Sequence, residues 1–463
     1  MRASRWNRAR RAASPAAGSA LAGQPIRINW GALASSLGSC PIDRPLGRVD
    51  EVVGSLVKAV GPKVRIGEMC ELIPSDERPG VSVRAEVVAF RDGKALLMPY
   101  GDLRGLGPGS LVAPTGSLHS VKVGERLLGR VIGGLGEPLD EGGDVAFDGH
   151  YPLYAAPPEP LRRTAIDTVL PLGVRALDGL LTCGRGQRIG IFSGSGVGKS
   201  TLLGMIARNT AADVNVIALI GERGCEVKKF IDQSLGPAGL ARSVVIVVPS
   251  SAPAMLRTRA AFKAMAIAEY FRDRGGHVLL MMDSLTRFAW ALRDVGLAAG
   301  EAATARGFTP SVFSVLPQLL ERSGTSLQGS ITGLFTVLVE GDDLNEPVSD
   351  TVRGLLDGHV ILSRSLAQKG WFPAIDVPAS VSRLMKDIVG PQQQLRANRI
   401  RSMLTAHAEV EDLVNMGEYR RGANPDADLA LERFGELRGF LQQDVGEQAR
   451  WDDTRSRLDQ VTR

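Results

Sequence analysis

SGSGVGKS, residues 193–200, separates a short apolar run from a helix-like segment and decides the fold of this chain. Residues 187–192 (QRIGIF) predict a buried strand, and residues 201–209 (TLLGMIARN) carry apolar side chains at helical spacing. Glycines between a strand and a helix let successive backbone N–H groups turn inward and surround phosphate oxygens at the helix N-terminus. The stretch therefore predicts a phosphate-binding loop in a protein that binds a nucleoside triphosphate.

Two side chains of this loop are expected to act on the triphosphate. Lys199 would bring a compact positive charge to the β- and γ-phosphates, and the Ser200 hydroxyl would join the shell of a Mg²⁺ ion. The usual motif opens with glycine where this chain has Ser193, but the inner glycines are present. The alternative is a glycine-rich turn that happens to end in Lys-Ser, and the flanking strand and helix argue against it. The loop residues expected to bind ATP are Ser193, Gly194, Ser195, Gly196, Val197, Gly198, Lys199, Ser200 and Thr201.

Length and composition bound the class of protein. A chain of 463 residues with 44% hydrophobic and 23% charged residues predicts a soluble globular protein of two or three domains. The net charge of +5 is too small to argue for nucleic-acid binding by the whole chain. No apolar run approaches the roughly 18 residues of a membrane span. Scattered cysteines and histidines favour a reducing cytosol and predict no metal site besides nucleotide-bound Mg²⁺. The cysteines are Cys40, Cys70, Cys183 and Cys225.

Basic charge is concentrated in residues 1–41, which contain six arginines and no acidic residue. Ala, Ser, Gly and Pro fill much of the rest, so we predict a flexible basic N-terminal tail. Three interpretations stay open: a solvated tail, a docking segment for a partner protein or an acidic membrane surface, and an organelle transit peptide. A secretory signal is not expected, because no apolar core follows the arginines.

Residues 42–114 are predicted to form a small N-terminal β-barrel domain. Short apolar or alternating runs recur there between turn signals, which include a predicted hairpin at 91–94 (RDGK). The GGLGEP stretch at 133–138 is also glycine-rich, but no helix-like segment follows it. It therefore predicts a turn and not a second phosphate loop.

The rest of the chain divides into two patterns. Residues 115–373 alternate strands and helices, which predicts an ATP-binding α/β domain around a parallel sheet. Residues 374–463 are charged and helix-patterned, which predicts a C-terminal helical domain. The predicted fold class is thus α/β, with a central phosphate-loop (RecA-like) domain between a barrel and a helical domain.

Two acidic residues at the carboxyl ends of predicted strands are the candidates for hydrolysis. Asp283 ends the apolar run HVLLMMD, where a carboxylate can hold Mg²⁺ through a water molecule. A helix N-cap is the alternative role for that aspartate. Glu222 ends the run VNVIALIGE, where a carboxylate can orient and polarise the water that attacks the γ-phosphate. A structural ion pair with Arg223 is the alternative role for that glutamate.

A series of motifs runs in order between residues 193 and 385. They are SGSGVGKSTLL, ALIGERGCEVKKFI, DSLTRFAWALRD, GFTPSVFSVLPQLLERSG, GSITGLFTVLVEGDD, DTVRGLLDGHVILSR and FPAIDVPASVSRLM. Together they resemble the ATPases of type III protein secretion, relatives of the rotary ATP synthase catalytic subunit. The segments RDGKALLMPYGDLRGLGPGS and EGDDLNEPVSDTVRG are more similar to the flagellar export member than to the injectisome member. The resemblance spans roughly residues 45–440.

The resemblance implies a role for each matching residue. Lys199 and Ser200 match contacts to phosphate and Mg²⁺, Asp283 matches the aspartate of the Mg²⁺ site, and Glu222 matches the catalytic glutamate. Arg223 and Arg287 match arginines that line the phosphate side of the pocket. Arg383 matches the arginine that a neighbouring subunit contributes to the γ-phosphate. The resemblance thus implies a homohexameric ring with active sites between subunits.

At two positions this chain departs from the family pattern. Phe372 stands where relatives usually have a tyrosine that stacks on adenine, and phenylalanine keeps the π-face needed for stacking. Cys225 stands where relatives commonly have arginine in G-E-R-G-R-E. This chain therefore lacks the guanidinium that would make that arginine's contact, and the position gains an oxidisable thiol.

The function implied is Mg²⁺-dependent ATP hydrolysis that energises or primes export of flagellar proteins. The resemblance also implies a location in the cytoplasm, or peripherally at the inner face of the cell membrane at the flagellar base. Its implied partners are a stator or regulator protein at the tail, a central stalk protein, the export gate and chaperone–cargo complexes, with no specific nucleic acid.

Three other functions are weighed against this one. An injectisome ATPase would share nearly all of the motifs. A non-catalytic nucleotide-binding ring subunit typically lacks the carboxylate that this chain has at Glu222. A hexameric RNA-translocating ATPase would need an amino-terminal platform of aromatic and basic groups, and residues 45–115 offer only Phe90 and Tyr100 as aromatics.

Overall fold

The computed structural model describes residues 45–75 and 82–462. The predicted tail, residues 1–41, lies outside the described residues. Among the helices of the described part, none is both long enough and apolar enough to cross a lipid bilayer.

Strands of the amino-terminal part close into a barrel, so the predicted barrel is confirmed. They are Gly47–Val53 (β1), Leu56–Val60 (β2), Glu68–Ile73 (β3), Val83–Arg91 (β4), Lys94–Pro99 (β5) and Leu111–Leu118 (β6). Their order around the barrel is β1-β2-β5-β4-β3-β6, and β6 closes on β1. Alternate side chains point into a core that includes Val57, Leu72 and Leu97.

The predicted hairpin joins β4 to β5. Arg91 pairs with Lys94 across a two-residue turn. Asp92 and Gly93 have φ of 51° and 73°, the left-handed region that such tight turns require and that Asp-Gly readily supplies.

A nine-stranded, mostly parallel sheet forms the centre of the molecule, as the alternating pattern predicts. Its strands are Val131–Gly133 (β8), Arg188–Ser193 (β10), Val214–Glu222 (β11), Ser243–Pro249 (β12), His277–Asp283 (β13), Gly324–Thr325 (β14), Ser330–Leu338 (β15), Gly358–Leu362 (β16) and Ile375–Ser382 (β17). The order is β17-β16-β10-β15-β13-β11-β12-β8, with β14 beside β15, and only β14 and β17 pair antiparallel. Two further strands, Ser120–Val123 (β7) and Gly149–Pro152 (β9), pair with each other.

The predicted domain boundaries fall close to the ends of sheet elements. Residue 114 lies inside β6, and residue 373 lies just before β17, which still belongs to the central sheet. The GGLGEP stretch forms a turn in which the Gly133 N–H donates to the Glu137 carbonyl, so the predicted turn is confirmed.

Helices cover the sheet and build the carboxyl-terminal part. Around the sheet they are Arg175–Leu180, Lys199–Asn209, Gly224–Lys229, Gly236–Ala241, Ala254–Asp273, Leu285–Ala299, Pro310–Leu320, Pro347–Leu355 and Arg364–Gln368. A π-helical segment, Phe230–Leu235, joins two of them, and short 3₁₀ turns lie at Glu125–Leu127, Pro160–Arg162, Ala305–Gly307 and Glu340–Asp342. The carboxyl-terminal helices are Met385–Ile388, Pro391–Met416, Pro425–Leu441 and Trp451–Thr462.

The helix Ala254–Asp273, here called the junction helix, is buried although it carries charged residues. On its sheet side, Glu269 accepts two hydrogen bonds from the buried Arg322, at 2.9 and 2.7 Å. On its barrel side, Arg259 makes an ion pair with Glu86 of β4, with Nε 2.8 Å from Oε2. Glu86 also accepts a hydrogen bond from Tyr100. These paired charges attach the barrel to the sheet.

Breaking the Glu86–Arg259 pair is expected to destabilise the fold strongly. Glu86→Gln leaves a buried guanidinium without its counter-charge and should lower the free energy of unfolding by about 3 kcal/mol. The matched control is Asp50→Asn, which breaks an ion pair of 2.7 Å with Lys94 on the exposed barrel surface and should change stability little. Denaturant unfolding measures both, and equal effects would contradict this assignment.

Candidate active site

The phosphate loop connects β10 to the helix Lys199–Asn209, as the sequence predicts. Gly196 and Gly198 have φ of 80° and 92°, a conformation that glycine adopts without strain. A Cβ on Gly194 would lie 2.6 Å from Nη2 of Arg364, so the end of that side chain would have to shift to admit one. The loop residues Ser195 and Gly196 are exposed, and Val197 is buried in the core below. The backbone therefore has the shape of a phosphate cradle.

Lys199, at the start of that helix, lies between two carboxylates. Its ammonium makes a short ion pair with Oδ1 of Asp283 and lies 3.6 Å from Oε1 of Glu222. The three side chains are largely buried; Lys199 begins the helix after β10, whereas Glu222 and Asp283 end β11 and β13. Strands that run parallel end at one edge of the sheet, which is why residues far apart in sequence meet here.

The Asp283 carboxylate accepts a side-chain hydrogen bond and does not cap a helix. Thr336 Oγ1 donates to its Oδ1 at 2.7 Å. The cap of the following helix is Ser284, whose hydroxyl accepts the Arg287 N–H at 3.3 Å. Neither Thr336 nor Ser284 was identified from the sequence, because short polar residues beside a buried strand carry no distinctive pattern.

Glu222 has one fixed oxygen and one unsatisfied oxygen. Oε2 lies 3.0 Å from Nη1 of Arg287, while Oε1 is buried and accepts no hydrogen bond from the described residues. Burial, together with the negative charge of Asp283, raises the pKa of Glu222 to about 7. Arg287 is fixed in turn, because it also donates to the carbonyl oxygen of Gly221.

Arg223 does not pair with Glu222. Its side chain is 76% exposed and lies 3.9 Å from Glu226, so the alternative of a structural Glu222–Arg223 pair does not form. Cys225, on the same short helix, is also exposed. Arg287, from another helix, is the arginine that the structure brings to the glutamate.

Phe372 lies against the phosphate loop, and Arg383 does not. The Phe372 ring comes within 3.4 Å of the position that a Cβ on Gly198 would take, and the ring is 45% exposed. Arg383 follows β17, and its exposed side chain donates to the carbonyl oxygen of Arg353, at 3.4 Å, the one hydrogen-bond partner it has among the described residues. Within one chain, Arg383 is therefore not assembled with Lys199 and Glu222.

A second pocket opens beside the loop. It has a volume of about 240 Å³ and is lined in part by Ser193, Gly194, Asp342 and Arg364. Arg364 Nε lies 3.3 Å from Asp342, so this ion pair stands against the outer side of the loop. Arg364 ends the motif DTVRGLLDGHVILSR, but it was not identified from the sequence as a site residue, because its contact with the loop depends on the pairing of β16 with β10.

Three family profiles match parts of this chain. The profile described as "ATP synthase alpha/beta family, nucleotide-binding domain" matches residues 173–382. The "beta-barrel domain" of the same family matches residues 49–116, and the "T3SS EscN ATPase C-terminal domain" matches residues 389–460.

Full-length relatives cover nearly the whole chain. The "Flagellum-specific ATP synthase" of Bacillus subtilis is 50% identical over 418 residues, which are 90% of this chain and 95% of the relative. The "Type 3 secretion system ATPase" of Xanthomonas euvesicatoria is 51% identical over 431 residues, or 93% and 97% of the two chains. The assembled ATPase EscN of enteropathogenic E. coli superposes with a TM-score of 0.84 at 44% identity, covering 90% of this chain and all of that one. The chain belongs to the family of flagellum-specific ATP synthases and type 3 secretion system ATPases.

Proposed function

We propose that this chain hydrolyses ATP, with Mg²⁺, to energise or prime the export of flagellar proteins through a type III apparatus. The observation that carries the proposal is the convergence of Lys199, Glu222 and Asp283 beside the phosphate loop. The names of several relatives at 45–50% identity, all flagellum-specific ATP synthases, support the flagellar pathway.

The triphosphate binds along the loop, residues 193–201. Backbone N–H groups of the loop and its helix N-terminus donate to phosphate oxygens. The Lys199 ammonium, which lies against two carboxylates in the free site, turns to the β- and γ-phosphates. Phe372 stacks on the adenine, because its half-exposed ring stands over Gly198.

The oxygen donors present fit a Mg²⁺ ion held mainly by the substrate. Mg²⁺ is usually bound through one or two carboxylates together with substrate phosphates. Ser200 and Asp283 offer such oxygens, the latter through water, and the described ranges contain no cluster of three or more acidic, His or Cys side chains that would form a separate metal site. When bound, the ion neutralises charge on the β- and γ-phosphate oxygens.

Glu222 prepares the attacking water. With Oε2 held by Arg287, its Oε1 is fixed in position and unsatisfied, so this oxygen accepts a hydrogen bond from water and polarises it toward the γ-phosphate. Arg287 and the exposed Arg223 add positive charge on the phosphate side of the pocket.

Arg383 completes the site from a neighbouring subunit. An arginine in that role stabilises the charge that develops on the transferred phosphoryl group. The proposal therefore includes a homohexameric ring. A similar solved structure, that of the assembled ATPase EscN, supports this part of the proposal. A second such structure contains EscN with its central stalk EscO, which supports a central stalk partner for this chain too.

We also propose partners, a cellular location and domain limits for this chain. We propose that the tail, residues 1–41, binds a stator or regulator protein, and that the C-terminal helices meet the export gate and chaperone–cargo complexes. The ring would lie in the cytoplasm, peripherally at the inner face of the membrane at the flagellar base. The proposed domain limits are 42–114 for the barrel, 115–373 for the ATP-binding domain and 374–463 for the helical domain.

A virulence-type secretion ATPase is the second candidate. The relative from Xanthomonas euvesicatoria is as similar to this chain as the flagellar relatives are, and it covers slightly more of the sequence. Both pathways would use the same active site.

Replacing the chromosomal gene by the Glu222→Gln form tests the pathway. Cells should lose swimming and stop secreting flagellar hook and filament proteins, because the site no longer turns over. Motility assays and analysis of secreted proteins measure the result. Motile cells that fail to secrete virulence effectors would instead support the second candidate.

Two substitutions are expected to separate binding from hydrolysis. Glu222→Gln should lower kcat by about 10²–10⁴-fold while ATP still binds, because the amide cannot accept the proton of water. Lys199→Ala should abolish both turnover and tight binding. Asp232→Asn, an exposed acidic position after the same strand, is the matched control and should leave both unchanged. Phosphate release and nucleotide binding measure these effects, and wild-type turnover by Glu222→Gln would refute the mechanism.

Mixed rings test the role of Arg383. Arg383→Ala alone should lower turnover by about 10³-fold. When it is mixed with Glu222→Gln protein, some interfaces receive an intact Glu222 and an intact arginine, so activity should partly return. The measurement is ATPase rate against mixing ratio in rings whose mixed composition is verified by mass spectrometry. Mixed rings without any recovered activity would place Arg383 outside the shared site.

A further inference from the structure

A cavity of about 680 Å³, lined by both apolar and charged side chains, lies where the barrel meets the central sheet. Its walls come from β3, β4, β6 and β7, from the turn at 133–138 and from the junction helix. None of its lining residues belongs to the candidate active site. Small-molecule sites in proteins commonly measure about 300–1,000 Å³, so this junction cavity is large enough to hold a ligand.

Lys263 of the junction helix is the unusual residue of this cavity. It is only 3% exposed, and Nζ lies 3.2 Å from the position that a Cβ on Gly136 would take. Within residues 45–75 and 82–462, no carboxylate is at ion-pair distance from this ammonium and no acceptor is hydrogen-bonded to it. A buried cation without a partner is unfavourable, and the other charges of the same helix, Arg259 and Glu269, are paired.

Two further cationic side chains line the same cavity. Arg84 projects from β4, and its positive charge, after burial, contributes to lowering the pKa of Lys263 to about 7. Lys122 of β7 lies over the ring of Phe147, 5.5 Å from its centroid. Like charges gathered around one cavity repel each other, and a bound anion would relieve that repulsion.

The negative charge of Glu137 attracts the Lys263 ammonium and opposes the fall in its pKa, but no carboxylate of the described residues forms an ion pair with it. Glu137 accepts a hydrogen bond from the N–H of Leu135 in its own turn, at 2.9 Å. Glu71 lines the wall from β3. His119 adds no positive charge at neutral pH, because burial and the charge of Lys263 lower its pKa to about 4. The ammonium thus faces the cavity with its hydrogen-bonding capacity unused.

We propose that the junction cavity binds a small oxyanion, a phosphate or carboxylate group, with Lys263 as its principal counter-charge. The anion would accept hydrogen bonds from the ammonium and from the guanidinium of Arg84, which suits oxyanions geometrically. This site is separate from the ATP site, so the proposal stands or falls independently of the proposed ATPase mechanism.

The reactivity of Lys263 tests the proposal. Only the neutral amine reacts with acetic anhydride, so an anion that raises the pKa of Lys263 from about 7 by one unit should slow its acetylation at pH 7 about fivefold. Mass spectrometry follows Lys263 and the exposed Lys228 in the same sample, in phosphate, succinate or chloride at equal ionic strength. If phosphate slows the acetylation of Lys263 but not of Lys228, the bound group is a phosphate. If succinate does so, the bound group is a carboxylate. Equal rates at Lys263 in all three salts overturn the proposal.

Direct binding provides a second measurement that does not depend on acetylation. In a Lys199→Ala background, which removes phosphate binding at the loop, equilibrium dialysis with inorganic phosphate or succinate should find one bound anion per chain. Adding Lys263→Met should abolish that binding, whereas the matched Lys228→Met should not. Lys263→Met should fold, since it replaces an unpaired buried charge by an apolar chain of similar length. Equal binding by the two double variants, or none by Lys199→Ala alone, overturns the proposal.

Discussion

One ammonium shared by two buried carboxylates is the interaction on which the active site depends. Glu222 and Asp283 are nearly inaccessible to water, and two such negative charges close together would repel each other strongly without Lys199 between them. The rise in the pKa of Glu222 shows that the lysine compensates only in part. A triphosphate that attracts the lysine therefore also changes the charge around Glu222, so substrate binding and activation of the glutamate are linked electrostatically.

The sheet explains how these groups meet, and the junction helix explains how the barrel stays attached. Parallel strands deliver Lys199, Glu222 and Asp283 to one edge, although about 80 residues of chain separate the first from the last. On the other side, the junction helix buries Arg259, which pairs with Glu86 of the barrel, and Glu269, which pairs with Arg322 beside the sheet. Its buried Arg272 pairs with Asp273 of the same helix, whereas Lys263 has no ion-pair partner among the described residues. Paired charges have directional requirements that apolar packing lacks, so they fix how the barrel is oriented on the sheet.

The sequence predicted the features whose causes are local. Strand and helix periods, the Asp-Gly turn and the phosphate loop follow from neighbouring residues, and Asp283 and Glu222 could be chosen because each ends an apolar strand. Partners that depend on tertiary packing were not predictable. The sequence offered Arg223 as the neighbour of Glu222, but the helix after β13 supplies Arg287 instead. The junction cavity combines barrel strands with a helix far along the chain, and no sequence spacing encodes that meeting.

Ser193 illustrates why a loop motif can vary at one position and not at others. It is the last residue of β10 and pairs with Leu338 on one side and Leu362 on the other, so its backbone is extended and tolerates a side chain. At the next residue, Gly194, a Cβ would require the ends of the Arg364 and Asp342 side chains to shift. The demand for glycine is strict at Gly196 and Gly198, whose φ angles of 80° and 92° are positive. The requirement for glycine therefore follows from backbone conformation, which the extended Ser193 does not share.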